Sequence, residues 1–595
     1  MRVRHVWFLF CGLVPLVPVQ PLVEMSFSTA IEKDGCVILR WGVDRSAGLA
    51  VFEVQAQTTG WLGFGLSPGG GMAGADIVIG GVFPNKTVYF SDYHGIGRTT
   101  PVLDQKQDYH LVSLTENGTF TSMRFSRAFS TCDTNDLEIT EDAMHVIAAY
   151  GTDDRIGFHN MHRSSTLVYL LSPEDNRPSL NFSVMTNEYS IPTSEITYAC
   201  TFVRLPTLPG KRHIYKFEPV LQTGHEEFIQ SMVLHACNAG GTGFPPETEN
   251  CGKRRNLSDQ CVPILVSWTA GEKALYFPDN AGISLGAAED PAYVMLKTHY
   301  SNLRSLPEVI DSSGIRLHYT PELRAYDVGT LTLGPFTDEV LFIPPRTGAY
   351  KVYGLCKTGR FTELDETIKE MQVFASLLQT HAAGRAVQIA HFRQGSQMGF
   401  LGREMHHDFS MQRTRLLRNV TAINMGDDII VECTYNTLDR ANITYGGLGS
   451  RQEKCLGLLY YYPRGKISGC FSYTDLEHVA KALGKQVSST QEAMLEIAAF
   501  QWDEVSVWMA EKANKESSHI VYIQNNQNEY ASDVGPIFRI QEPADGNITD
   551  SSNSGRPCTL TSLLPDSASA PYPSWYSLVE VLLLQASLIW LSKDV

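Results

Sequence analysis

The stretch Val373-Phe-Ala-Ser-Leu-Leu-Gln379-Thr-His381-Ala-Ala-Gly-Arg385 decides how this chain is interpreted. Its apolar residues, bounded by polar ones, predict a β-strand over residues 370–384. Alternate residues of a strand share a face, so Gln379 and His381 are expected to point the same way. Two side chains at this spacing on one face could hold a metal ion. The strand is therefore the first candidate for a metal site.

Short β-segments separated by turns fill residues 35–168. Val51-Phe-Glu-Val-Gln-Ala56 alternates apolar and polar residues, and Thr87-Val-Tyr-Phe-Ser-Asp-Tyr93 is a second such segment. Several strands at this spacing predict a β-sandwich. Farther along, His213-Ile-Tyr-Lys-Phe-Glu-Pro-Val220 and Ile315-Arg-Leu-His-Tyr-Thr320 are also strand-like, whereas residues 473–483 and 490–501 are predicted to be partly helical. The pattern predicts an all-β chain with a small helical part.

Length and charge narrow the class of protein. A chain of 595 residues is too long for one domain, and about 150 residues per domain predicts roughly three or four. The formal net charge of −16 argues against a nucleic-acid partner, which would require a basic face. An acidic, solvated surface is the simplest interpretation of this charge.

The N-terminus has the pattern of a secretory signal peptide. Arg2, Arg4 and His5 precede an apolar run from Val6 to Val19, which predicts a signal peptide over residues 1–22. Seven glycosylation sequons agree with passage through the secretory pathway; they lie at Asn85, Asn117, Asn181, Asn256, Asn419, Asn442 and Asn547. We therefore expect a glycoprotein of the secretory pathway.

A second apolar segment, residues 575–592, lies at the other end of the chain. It is at the short limit for a membrane span and contains Glu580, which is unfavourable in lipid. Small residues at 567–570, a spacer and an apolar tail also fit the signal for a GPI anchor. We expect a type I single-pass membrane anchor, with a GPI-anchored or a secreted form as alternatives.

Three motifs give the chain a resemblance to a known family. They are the stretch that contains His381, the pair His299-Tyr300, and Gly446-Gly-Leu-Gly449 followed by Cys455. Together they resemble the copper region of the copper- and ascorbate-dependent monooxygenases, the family of dopamine β-hydroxylase and peptidylglycine monooxygenase. Near the N-terminus, Gly60-Trp-Leu-Gly-Phe-Gly65 with Ala75-Asp76 resembles a DOMON domain. The resemblance covers most of residues 35–560.

This resemblance implies a domain order. A DOMON β-sandwich is expected at residues 30–170, and two jelly-roll-like β-sandwich domains of the copper monooxygenase type at 190–328 and 329–470. A C-terminal region at 471–560 follows, and a polar linker at 173–192 precedes the second domain. In the DOMON segment no His/Met pair stands out as a haem clamp. Asp76 could bind a cation, but a solvated carboxylate at a turn is the expected interpretation.

The resemblance also implies where two copper ions would bind. The family's ligand positions are Gln230, Ser231 and His299 for one copper, and Gln379, His381 and Lys454 for the other. The family has five imidazoles and one methionine there, because imidazole binds both copper oxidation states and a thioether favours Cu(I). Only His299 and His381 keep the family's residue. A lysine of ordinary pKa is a cation and repels a metal ion.

Neighbouring histidines are not expected to replace the lost ligands. His225 and His235 lie six and four residues from Ser231, about 20 and 13 Å away along a strand. Copper–nitrogen bonds are near 2 Å, as for zinc. The pair His406-His407 lies in a polar loop and is expected to be solvated. The sequence offers no substitute ligand.

Two functions therefore remain open. The first is a copper- and ascorbate-dependent monooxygenase that hydroxylates a small amine-type substrate with dioxygen; four replaced ligands predict weak or absent activity. Tyr198 then matches a tyrosine with a catalytic role in the family, although a structural tyrosine beside a disulfide fits equally well. The alternative is a non-catalytic secretory glycoprotein that binds a ligand or partner through its DOMON domain or its relict cleft.

Twelve cysteines in a secreted chain predict disulfides. Cys11 leaves with the signal peptide. The pairing implied by the resemblance leaves Cys36 without a partner and consists of Cys132–Cys558, Cys200–Cys251, Cys237–Cys261, Cys356–Cys470 and Cys433–Cys455.

Overall fold

The computed structural model describes residues 23–31, 36–68, 70–97, 99–140, 143–159, 162–171, 180–237, 244–245, 247–251, 260–405, 407, 409, 412–527 and 529–541. Within them, 37 strands and four short α-helices form the regular structure. The prediction of an all-β fold is confirmed. The predicted signal peptide, Asn256, Asn547, Cys558 and the apolar segment 575–592 lie outside the described residues.

Two antiparallel sheets form the N-terminal sandwich. One has the strand order β1-β2-β3-β9-β8 and the other β11-β10-β4-β5-β6-β7. Phe52, Phe64 and Phe125 pack against one another between them, with tilted rings whose centroids are 5.4–5.6 Å apart. The strands are β1 Phe27–Ala30, β2 Val37–Asp44, β3 Leu49–Ala56, β4 Leu62–Ser67, β5 Asp76–Val82, β6 Val88–His94, β7 Val102–Leu103, β8 His110–Glu116, β9 Thr121–Ala128, β10 Ala143–Tyr150 and β11 Arg163–Tyr169.

A second sandwich begins earlier than the sequence predicted. Strand β12 starts at Leu180, inside the expected linker, and pairs with β23. One sheet has the order β12-β23-β15-β20-β24, the other β17-β14-β21-β16-β18, and β13 pairs with β22. The strands are β12 Leu180–Met185, β13 Tyr189–Ile191, β14 Ile196–Arg204, β15 Arg212–Val220, β16 Ile229–Ala236, β17 Glu249–Asn250, β18 Ile264–Thr269, β19 Leu275–Tyr276, β20 Ala281–Leu285, β21 Tyr293–Ser301, β22 Val309–Asp311, β23 Gly314–Thr320 and β24 Tyr326–Asp327.

The third sandwich packs a seven-stranded sheet, β31-β28-β34-β25-β35-β36-β37, against a four-stranded sheet, β27-β32-β29-β30. Its last two strands come from residues that the sequence assigned to a separate C-terminal region. The strands are β25 Gly329–Pro335, β26 Phe342–Ile343, β27 Tyr350–Lys357, β28 Glu370–Thr380, β29 Gly384–Arg393, β30 Ser396–Glu404, β31 Thr414–Asn424, β32 Asp428–Tyr435, β33 Thr444–Tyr445, β34 Cys455–Tyr462, β35 Ile467–Thr474, β36 Ser518–Asn525 and β37 Tyr530–Pro536.

The described residues form four α-helices, α1 Phe361–Leu364, α2 Leu476–Ala482, α3 Thr490–Ala498 and α4 Glu504–Glu516. Helices α2, α3 and α4 pack together as a small cluster beside the third sandwich, whereas α1 contributes Phe361 to the core of that sandwich. Helices α2 and α3 lie in the two segments predicted to be helical. Helix α4 was not predicted, although Asp503 and Ser506 form a capping box at its start, a recognisable helix signal.

The second and third sandwiches share one hydrophobic core. Phe374 of β28 and Tyr460 of β34 pack on Phe277, with ring centroids 6.1 and 6.2 Å apart. The hydroxyl of Tyr460 accepts a hydrogen bond of 2.9 Å from the Ser267 amide. Because Gln379 lies on β28 and Lys454 directly precedes β34, this shared core fixes how the two halves of the site face each other.

Four disulfides join eight of the ten described cysteines: Cys200–Cys251, Cys237–Cys261, Cys356–Cys470 and Cys433–Cys455. These pairings are the ones that the resemblance implied. Five of the predicted glycosylation sites, Asn85, Asn117, Asn181, Asn419 and Asn442, are exposed. No helix in the described parts of the chain is long and apolar enough to cross a membrane.

Candidate copper centre

The first half of the site is a row of three residues across the five-stranded sheet. Strand β21 lies between β14 and β16, and His299 is opposite Tyr198 on one side and Ser231 on the other. Residues directly opposite each other share a face of the sheet. The structure therefore brings the Ser231 hydroxyl beside the His299 imidazole.

Gln230 lies at a β-bulge. The pairing of β16 with β21 shifts between Ile229 and Ser231, and the Gln230 carbonyl accepts a hydrogen bond of 2.9 Å from the Ala270 amide. In a regular strand, two successive residues face opposite sides, whereas a bulge can re-aim a side chain. The bulge explains how adjacent positions 230 and 231 could serve one metal, which the sequence alone did not reveal.

Tyr198 connects the two halves of the site. Its ring stacks on the His299 imidazole with centroids 4.5 Å apart and planes 15° from parallel, and the Lys297 ammonium lies 5.2 Å from the tyrosine ring. Its hydroxyl donates to the Leu448 carbonyl of the third sandwich at 3.4 Å. Burial raises the pKa of Tyr198 to about 12. The tyrosine is therefore neutral and has contacts typical of a structural role.

In the second half of the site, β28 ends at Thr380, earlier than the predicted strand. His381 begins the turn that follows, and Gln379 is opposite Leu456 of β34. Lys454 precedes β34, and its ammonium donates to Oε1 of Gln379 at 3.5 Å. Burial, followed by repulsion from Lys297, lowers the pKa of Lys454 to about 8. The lysine thus contacts another replaced ligand position.

The His381 turn is held by buried polar contacts. The His381 amide donates to Glu453 at 3.0 Å, and Arg440 pairs with the same carboxylate at 3.0 Å. Nδ1 of His381 lies 2.7 Å from the Gln452 carbonyl, which can only accept, so this nitrogen carries the proton. Nε2 is then the lone-pair nitrogen. It is buried and has no hydrogen-bond partner among the described residues.

The two retained imidazoles are held neutral by the same neighbours. Burial, then the charge of Lys454, lowers the pKa of His381 to about 4. Burial, then Lys454, His381 and Lys297, lowers the pKa of His299 to about 3. Nε2 of His299 is also buried without a partner in the described structure. Both relict ligands therefore lie within electrostatic reach of one lysine.

The residues present do not fit two copper ions. Two neutral Nε2 atoms suit a metal, but each belongs to a different half of the site, and the other positions offer a hydroxyl, two amides and an ammonium. Stable copper sites need several pre-organised nitrogen or sulfur donors. In the described part of the chain, the one group of three or more His, Cys, Asp or Glu with metal-binding spacing lies elsewhere, at Asp76, Asp92 and Asp136.

Asp76 differs from the prediction of a solvated carboxylate at a turn. It opens β5 and is fully buried, and its carboxylate lies 3.1 Å from Nη2 of the buried Arg127. Burial raises the pKa of Asp76 to about 7 and that of Asp92 to about 8. Asp76 is part of an internal charged cluster, because the sheet-to-sheet core of the DOMON segment encloses it.

The other histidines considered in the sequence do not form part of the candidate copper centre. His235 is opposite Met295 on β21, and its Nδ1 lies 3.1 Å from the Val262 carbonyl. His225 faces Asp311 at 3.4 Å. His407 was expected to be solvated but is 8% exposed; His406 lies outside the described residues. The prediction for His407 was wrong: its amide donates to the Arg385 carbonyl at 2.8 Å, a contact that sequence spacing does not reveal.

Comparison with known proteins agrees with this geometry. Residues 326–483 match the C-terminal domain and residues 182–307 the N-terminal domain of copper type II ascorbate-dependent monooxygenases, and residues 33–151 match the DOMON domain. DBH-like monooxygenase protein 2 from Mus musculus is 38% identical over 87% of this chain and 85% of its own length. The chain belongs to the copper type II, ascorbate-dependent monooxygenase family.

Two further relatives are similar to this chain over about three quarters of its length. DBH-like monooxygenase protein 1 from Homo sapiens is 35% identical over 77% of this chain and 76% of its own length. Dopamine beta-hydroxylase from Rattus norvegicus is 32% identical over 76% of this chain and 75% of its own length. The family is copper- and ascorbate-dependent.

Proposed function

We propose that this chain is a member of its family that does not carry out two-copper oxygen chemistry. It acts instead as a secretory-pathway glycoprotein that binds a ligand or partner. The observation that carries this proposal is the position of Lys454. Its ammonium contacts Gln379, and its charge lowers the pKa of both retained histidines. A cation there opposes the entry of a copper ion.

The surroundings of the lysine support the proposal. Lys297 adds a second, half-buried cation close to Tyr198, and the nearby Glu453 is already engaged by Arg440 and by the amides of His381 and Ala383. Copper(II) would therefore meet two positive charges and a carboxylate whose oxygens already accept hydrogen bonds. Loss of ligands and gain of positive charge both weaken the binding of copper.

The competing function is a copper- and ascorbate-dependent monooxygenase that hydroxylates a small amine-type substrate. The observation in its favour is the pair of buried Nε2 atoms on His299 and His381, which have no hydrogen-bond partner among the described residues. One imidazole in each half is a weak anchor for copper, since chelation by several fixed ligands is what holds the ion. This function therefore ranks second.

Copper content tests the proposal directly. The purified glycosylated protein is loaded with copper, dialysed and analysed, beside a variant with Gln230→His, Ser231→His, Gln379→His and Lys454→Met. We expect wild type to retain well below one copper per chain and the variant about two, because it restores the donor types that copper prefers. Two coppers retained by wild type would overturn the proposal. A folded variant without copper would show that the ligand positions are wrongly assigned.

A further inference from the structure

A cavity of about 240 Å³ lies where the DOMON sandwich meets the third sandwich. The DOMON side contributes Pro68 and His145, and the other side consists of residues from β28, β30 and β31 together with the residues that precede β31. Its apolar wall is formed by Leu378, Phe400, Leu401, Leu416 and Leu417. This volume is slightly below the range of typical ligand pockets, roughly 300–1,000 Å³. The cavity therefore suits a small molecule rather than a peptide.

The polar wall of the cavity is rich in arginine. Arg413 and Arg415 are two residues apart, a spacing that places side chains on one face of an extended segment, and both line the cavity. Their charges contribute, after burial, to lowering the pKa of His145 to about 3, so both guanidinium groups lie close to a neutral imidazole. Including Arg403, the described lining residues carry three arginines and one acid, Glu404.

Existing contacts hold Arg415 in place at the junction. Its Nη2 donates to the Pro68 carbonyl at 3.0 Å, it pairs with Glu404, and it is opposite Ser376 in the sheet. The Nε atom of Arg415 is buried and has no hydrogen-bond partner in the described structure. A guanidinium has five N–H donors in a fixed fork, so Arg415 keeps a donor for a ligand while its other contacts remain.

His145 provides a second, independent indication. It is 2% exposed, it lines the cavity, and its Nδ1 atom is buried without a hydrogen-bond partner among the residues the structure describes. Buried polar atoms in native proteins are nearly always hydrogen-bonded, and an exception calls for an explanation such as strain, a functional role, or a bound ion or water. Positive charge on one wall, an open hydrogen-bonding position on the imidazole and an apolar wall define the chemistry of what the cavity accepts.

We propose that this cavity is a binding site for a small organic anion with an apolar body. Its carboxylate lies between Arg413, Arg415 and His145, and its apolar part contacts Phe400 and Leu378. Arginine favours carboxylates because its fork can donate two parallel hydrogen bonds. The site is separate from the copper centre, so the inference holds whether or not this chain binds copper. It also gives the DOMON sandwich a role in binding, since His145 belongs to that domain.

Calorimetric titration of the purified full-length glycoprotein with benzoate, and separately with benzamide, tests the site. We expect benzoate to bind at least about tenfold more tightly, since hydrogen bonds to charged groups are stronger than those between neutral groups. The double variant Arg413→Gln with Arg415→Gln should lose about tenfold or more in benzoate affinity. Glu404→Gln should tighten benzoate binding, because it removes the negative charge beside Arg415.

Arg304→Gln is the matched control. Arg304 is an exposed arginine that also pairs with an acid, Glu227, and its loss should leave benzoate affinity unchanged. Each variant is checked for an unaltered thermal unfolding transition. Absence of benzoate binding, equal affinities for benzoate and benzamide, or unchanged affinity in a folded double variant would each overturn the proposal. The opposite sign expected for Glu404→Gln keeps the test decisive if the double variant is unstable.

Discussion

The ammonium group of Lys454 lies 3.5 Å from Oε1 of Gln379, so two positions that the family resemblance assigns to one copper site contact each other. The two side chains form a polar pair rather than two separate substitutions. The retained His381 remains beside them, and Lys454 helps to keep it neutral.

Restoring the family's ligands in this half of the site alone should restore binding of one copper ion. In a variant with Gln379→His and Lys454→Met, His381 regains an imidazole and a thioether partner, a donor set that favours Cu(I). We expect about one Cu(I) per chain in a competitive titration with a chromophoric chelator. Gln379→His alone should bind much less, because the ammonium remains. Equal binding by the single and double variants would show that Lys454 does not oppose the metal.

Lys454→Met should stabilise the folded protein near neutral pH. The lysine has a pKa of about 8 in the folded state and about 10.4 when unfolded. The unfolded chain therefore binds more protons between these values, and wild-type stability rises with pH across this window. At pH 7 the variant should gain about 1–3 kcal/mol in free energy of unfolding, and the gain should disappear above about pH 10.5.

Urea unfolding at several pH values measures this difference. Lys466→Met serves as the control. Lys466 belongs to the same domain but has no contact with the copper centre in the described structure. If the difference between Lys454→Met and wild type were the same at pH 7 and above pH 10, the lysine would not be a buried cation with a lowered pKa.

Asp92→Asn should flatten the pH dependence of the DOMON sandwich. Burial raises the pKa of Asp92 to about 8, against about 3.9 when unfolded. The folded state binds more protons between these values, so the contribution of Asp92 to stability falls as pH rises from 4 to 8. Near pH 8 the variant should be more stable by roughly 1–3 kcal/mol, with little difference near pH 4.

Hydrogen exchange of β5 and β6 reports this effect locally, since Asp92 lies on β6 beside β5. Asp439→Asn, at an exposed carboxylate of the third sandwich, should leave exchange in these strands unchanged. Slower exchange in Asp92→Asn at pH 4 as well as at pH 8 would contradict the raised pKa.

Tyr198 substitutions should separate a structural from a catalytic tyrosine. Tyr198→Phe keeps the stack on His299 and loses a long hydrogen bond of 3.4 Å to Leu448, so stability should fall by less than about 1 kcal/mol. Tyr198→Ala removes the ring and should cost about 2 kcal/mol or more. The chemical shifts of the His299 ring protons should move in the alanine variant but scarcely in the phenylalanine variant. In the copper-restored protein, loss of ascorbate-driven oxygen uptake on Tyr198→Phe would instead assign the hydroxyl a catalytic role.

Some features follow from sequence because they depend on local pattern. The strand from Glu370 to Thr380 follows from its apolar residues, and its early end reflects the tight turn at Gly384, where a Cβ would lie 2.0 Å from Oγ1 of Thr380. Helices α2 and α3 lie within predicted segments because their pattern is also local. The strand β12 was hidden because its partner β23 is more than a hundred residues away, and such pairing leaves no local signal.

The sequence by itself determined the all-β class, the membership of a copper monooxygenase family through its motifs, and which residues stand at the six positions that the resemblance assigns to copper. Only the tertiary structure decided what those residues do together. Lys454 and Gln379 are 75 residues apart, and the cavity joins His145 to Arg415 from different sandwiches. Electrostatic and hydrogen-bonding interactions depend on distances in space, and sequence spacing fixes those distances only within one strand or turn.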